Sequence, residues 1–157
     1  MSASKDTVVN KRIKLASARP HPRNYNRHDE AQIEDLRESL RQFGQVRSVV
    51  VQASRRQNGD YLIVAGHGIC EAAKLEGFSD LRADVIPASW SPSRVLAYLA
   101  ADNELPRQSN PDEAQLAAII AEVQEREGDV LARLAAGEQQ ALKRLLALNA
   151  DGDHSMN

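Results

Sequence analysis

The chain has 157 residues, of which 42% are hydrophobic and only 4% aromatic, and a formal net charge of −2. That suits one compact core built from aliphatic side chains and alanine, and no apolar run approaches the roughly 20 residues of a membrane helix. A single cysteine, Cys70, excludes an internal disulfide and a multi-cysteine zinc site.

No apolar signal segment follows the basic N-terminus, so the expected compartment is the cytoplasm. The small net charge hides an asymmetry. Residues 1–56 carry twelve Lys/Arg against six Asp/Glu, and the remainder carries eight against sixteen, so a front part of +6 precedes a back part of −8. A basic front half is what an anionic partner requires, although a solvated basic tail gives the same count.

Residues 1–10 are polar and aperiodic and are expected to form a disordered tail. "RIKLA", 12–16, alternates and predicts a short strand. "ARPHPRNYNRHD", 18–29, reads as an irregular loop. Asp29 caps a helix whose apolar positions are Ile33, Leu36, Leu40 and Phe43, and Gly44 ends it. "VRSVVVQA", 46–53, is β-branched, and Asn58-Gly59 predicts a hairpin to "DYLIVA", 60–65, in antiparallel pairing.

Gly66-His67-Gly68 then leads into a helix over 69–76 with Cys70 facing the core, and "RADVIPA", 82–88, supplies another strand. From Ser91 the pattern is helical. Ser91-Pro92 starts a helix with Val95, Leu96 and Leu99 inside, and Pro106 stops it. Asn110-Pro111-Asp112-Glu113 repeats the start signal ahead of Leu116, Ile119, Ile120 and Val123, and further helical pieces are expected over 129–136 and 138–149. Trp90 is expected to cover the edge of the sheet. The order implies an α+β fold, a small mixed sheet with inserted helices, occupying 11–110. A helical extension, 111–149, and a loose tail, 150–157, would follow.

The glycine turn carries two readings. Glycines there serve a strand-to-helix turn with positive φ, or they form a phosphate cradle in which backbone N–H groups and a helix N-terminus face an anion. His67 suits a general base, a metal ligand or a phosphate donor, and Glu71 follows it by one helical turn. His21 and His28 have no partner at a metal-binding spacing.

These blocks, in this order, resemble the ParB/sulfiredoxin-like superfamily, specifically the ParB N-terminal domain and its stand-alone relatives. The resemblance rests on "RIKLA", "HPRNYN", "IEDLRESLRQFGQ", "VRSVVVQ", "IVAGHGICEAAKLEG" and "AADNELPRQSNP". It implies that the turn at Gly66, His67 and Gly68 holds nucleotide phosphates. Asp102 and Asn103 would sit opposite as magnesium ligands, with Arg47 and Arg107 as further nucleotide contacts. It also places Arg23 and Asn24 in a loop where the family makes nucleotide or DNA contacts, and the basic front half adds Arg19, Arg27 and Arg41 as candidate DNA contacts. The expected cofactors are Mg²⁺ and CTP or ATP, and the expected partners DNA, a nucleotide, a second copy or another protein, with no membrane.

The departures are informative. The two adjacent arginines of the partition proteins' G-E-R-R turn fall at Gly68 and Ile69. The turn has no cysteine, which argues against peroxiredoxin repair, and no helix-turn-helix pattern follows residue 110. Three functions therefore compete. One is a nucleotide-dependent, Mg²⁺-assisted nuclease with His67 or Glu71 as base. The second is a non-enzymatic DNA- or protein-binding adaptor, and the third a small-molecule phosphotransferase.

Overall fold

The structure, a computed structural model, describes residues 7–127 except 55, 57, 58, 109 and 111, together with all side chains in that range but those of Arg107 and Gln108. Five strands and four α-helices follow in the order β1 (Val9–Lys14), β2 (Ala18–Pro20), α1 (Glu30–Phe43), β3 (Val49–Ala53), β4 (Tyr61–Ala65), α2 (His67–Leu75), β5 (Asp80–Ile86), α3 (Pro92–Glu104) and α4 (Glu113–Glu127). The sheet order is β1-β5-β3-β4-β2. β3 and β4 pair antiparallel, as the Asn-Gly signal requires, while β3 with β5 and β2 with β4 are parallel.

Both faces of the sheet are covered, which explains the unbroken apolar runs in β3 and β4. Val49, Val51 and Ile63 point to one face, where they pack with Ile33, Leu40, Cys70, Ala72 and Ala73 of α1 and α2. Val64 and Ile86 point to the other and meet Val95 and Leu99 of α3, with Val50, Trp90 and Tyr98 against them. Trp90 therefore lies in this second core rather than at the sheet edge. Its ring meets Tyr98 edge-on, and Arg94 lies 4.1 Å over its face. Gln52 is the one buried amide of β3, and its Nε2 donates to the carbonyls of Pro87 and Trp90, fixing the turn into α3.

The helix signals are realised where they carry a cap. Asp29 accepts from the Gln32 N–H, and Gly44 takes φ +70° at the end of α1. Ser91 caps α3, and Asp112 accepts from the Gln115 N–H ahead of α4. Four expectations need correction. β1 begins at Val9, inside the expected tail, because the Asn10 side chain donates to Ser48 and Asp84. Residues 18–20 add a parallel strand to β4 within the expected loop. Phe43, placed in the core by its spacing, is 55% exposed at the last turn of α1, and Ile119 of α4 is 57% exposed. The expected pieces 129–136 and 138–149 and the tail 150–157 lie outside the described residues.

Candidate functional site

β4 ends at Ala65, and Gly66 turns the chain with φ +91° so that α2 starts at His67, two residues earlier than expected. The first helical hydrogen bond runs from the Cys70 N–H to the Gly66 carbonyl, so the amides of His67, Gly68 and Ile69 precede it, as at any helix start. The glycines themselves are explained by packing. A Cβ on Gly66 would stand 2.7 Å from Cγ1 of Val49, and one on Gly68 would stand 2.8 Å from Leu36 Cδ1 and 3.1 Å from His28 Nε2. The missing side chains make room for β3, α1 and the preceding loop.

His67 is locked in the same way. Its Nε2 accepts from the His21 backbone N–H at 3.2 Å, and its other ring nitrogen faces the Ile63 carbonyl. Burial, reinforced by His21 and His28 nearby, lowers its pKa to about 4. With both nitrogens engaged, this neutral imidazole has no lone pair for a general base to use. The loop after β2 is held elsewhere too. Nδ1 of His21 accepts from the Arg23 N–H, Asn24 and Asn26 bond each other, and Tyr25 Oη donates to Glu104 at 2.7 Å.

Two clefts flank the first turn of α2, and they divide the sequence-predicted residues between them. One, of about 790 Å³, is lined by Arg47, Gly66, Ile69 and Asp102, with Asp84 and Tyr98. The other, of about 1000 Å³, is lined by Arg19, Asn24, Arg27, His67 and Glu71. Helix geometry causes the split. His67, Cys70, Glu71 and Lys74 share one face of α2, whereas Ile69 stands about 200° round from His67. The pair expected to do catalysis and the residue expected to hold the metal thus open to different clefts. Arg41 is engaged at the α1–α2 seam, where it bonds Glu76 and Glu38 beside the Arg37–Glu76 pair. Hydrogen bonds from Arg37 and Arg41 hold the Glu76 carboxyl below the usual carboxylate range.

Burial raises the pKa of Tyr98, with Asp102 and Asp84 adding to the effect. Asp84 is a second carboxylate that sequence reading missed, because on β5 it looked like the polar half of an alternating strand. Beside Asp102, Nδ2 of Asn103 is buried without a hydrogen-bond partner. Among the described residues no group of three or more His, Cys, Asp or Glu forms a metal cage. Two carboxylates suit a magnesium ion that arrives with a phosphate ligand and keeps part of its water. The side chain of Arg107 lies outside the description.

The family model of the ParB N-terminal domain matches residues 2–103. The chain belongs to the ParB N-terminal domain family. Its fold is also that of solved ParB structures. The C-terminally truncated chromosome-partitioning protein ParB from Caulobacter crescentus complexed with CTP-gamma-S is 21% identical, with a TM-score of 0.68 over 81% of this chain and 69% of that one. The same protein complexed to the centromeric parS site gives 20%, 0.52, 80% and 63%. A Pnob8-like ParB-N domain gives 15%, 0.51, 78% and 50%. This ParB-type chain thus spans between half and about two-thirds of these neighbours' own length. No curated protein matches it in sequence. No helix of the described residues is long and apolar enough to cross a membrane.

Proposed function

We propose that this chain is a non-catalytic nucleic-acid-binding module of the ParB type, which meets the phosphate backbone through the loop after β2. The observation that carries the reading is how that loop is held. His67 fixes it at His21 and Glu104 at Tyr25; Arg23 between these tethers and Arg27 just beyond them are exposed, with no carboxylate within ion-pair distance among the described residues. Arg19 adds a third, partly neutralised by Asp60 at 3.3 Å. The committed lone pair of His67 and its separation from Asp102 speak for binding over cleavage. The neighbour seen with centromeric DNA supports the ligand class. Fluorescence anisotropy on two unrelated duplexes across a salt series, followed by a cleavage gel, tests it. Binding that weakens with salt and leaves the DNA intact is expected. No binding at low salt would overturn the reading.

A second reading, nucleotide binding in the Arg47–Asp102 cleft, is favoured by the way that cleft gathers Arg47, Asp84 and Asp102 around Gly66 at the start of α2. Arg47 and the first-turn amides of α2 would meet phosphate, while Asp102 and Asp84 would face its magnesium. The neighbour with CTP-gamma-S supports it, and the side chains at Gly68 and Ile69 bring no positive charge. Titration of CTP and ATP with Mg²⁺ decides, and no heat from either nucleotide would overturn it.

A further inference from the structure

The larger cleft has features that backbone contact with a duplex leaves unused. Its floor is apolar, formed by Leu15, Ile63 and Phe78 between β2, β4 and the end of α2. Its rim carries Lys14, Arg27 and Lys74, none of which has an ion pair among the described residues. Arg19 and Asp80, also on the rim, are paired with Asp60 and Arg12. Only Glu71 remains as an unpaired carboxylate there, so three free cations face one anion across an apolar floor.

We propose that this cleft is a binding site for a small organic anion, a flat apolar body bearing a carboxylate, sulfonate or phosphate. The volume of about 1000 Å³ lies at the upper end for small-molecule sites, which combine apolar walls with a few polar groups. The apolar body would cover Ile63 and Phe78, and the acidic group would sit between Lys14 and Lys74, where a charge-assisted contact is strongest. A duplex offers phosphates to the convex rim and has nothing to fill a recessed apolar floor. The Cys70 thiol on the floor is pushed up to about 12 by burial, so binding there is non-covalent. The site is separate from the Arg47–Asp102 cleft; it shares Arg27 with the proposed DNA surface, but Lys14 and Lys74 belong to it alone, so it stands without the DNA reading.

The test uses 1-anilinonaphthalene-8-sulfonate with the full chain. Saturable fluorescence at one site per chain, displaced by salicylate, is expected. Lys14→Glu combined with Lys74→Glu should weaken the dye by at least about tenfold, the loss of charged contacts. Arg47→Glu and Arg23→Glu should leave it unchanged, although Arg23→Glu weakens DNA. Both lysines are exposed, so the fold should persist, with the Lys74→Gln single variant as a second measure. Failure to saturate, or equal affinity in the lysine variants, would overturn the proposal. So would displacement by an oligoglutamate peptide at lower concentration than salicylate, which would assign the cleft to an acidic protein segment.

Discussion

The His21 amide donates to Nε2 of His67, 46 residues further along the chain, and so ties the loop after β2 to the first turn of α2. The bond exists only while His67 is neutral. Its folded pKa of about 4 lies below the ordinary imidazole value of 6.5, so the unfolded chain takes up the proton first as pH falls. Stability is then fully present above about pH 6.5 and declines between there and about pH 4. Discounted for a half-buried group, the loss should be about 1–2 kcal/mol. Urea melts from pH 4.5 to 7.5 check this, and His67→Gln should flatten that part of the profile. His21, whose pKa is lowered by burial and by Arg23, acts in the same direction.

Glycine replacements should rank by backbone and by neighbour. Gly66→Ala combines positive φ with a collision against β-branched Val49, and should cost about 2–4 kcal/mol. Gly68→Ala meets the flexible tips of Leu36 and His28 and gains helix propensity, so its cost should be under about 2 kcal/mol. Thermal melts give the order. Equal, negligible costs would leave the packing account without support.

Removing Gln52 by alanine leaves the Pro87 and Trp90 carbonyls without their donor at the entry to α3. A loss of about 1–3 kcal/mol is expected in chemical denaturation. Tyr25→Phe removes the exposed bond to Glu104 and should cost less, about 0.5–1.5 kcal/mol.

Among the arginines, position decides. Arg23→Glu with Arg27→Glu should make the slope of log affinity against log salt shallower by about 2, near 0.9 per lost contact. Arg41→Ala should leave that slope unchanged, since Glu76 and Glu38 already hold its guanidinium. A comparable drop for Arg41→Ala would move the DNA surface to α1.

In the nucleotide reading, Asp102→Ala should remove any magnesium-linked thermal shift seen with CTP. A variant that keeps the shift would place the metal elsewhere.

Local chemistry was legible in the chain itself. Asp29, Gly44 and Ser91 marked helix ends because caps act within a turn of where they sit. Asn58-Gly59 gave the β3–β4 pairing because a hairpin is a short-range event. The apolar runs of β3 and β4 marked strands, and the motif order marked the family. Tertiary structure decided the rest. β5 enters between β1 and β3, which brings Asn10 to Asp84 across 74 residues and orders a segment read as tail. Whether the Gly66 and Gly68 positions face a ligand or a neighbour depends on Val49, Leu36 and His28, none of them nearby in sequence. The same holds for His67, whose chemistry was set by a distant backbone amide. The division of the site follows from α2, a nine-residue helix with 3.6 residues per turn, which sends adjacent motif residues to opposite clefts. A motif read along the chain gives the residues their order, and only the packed helix gives them a direction.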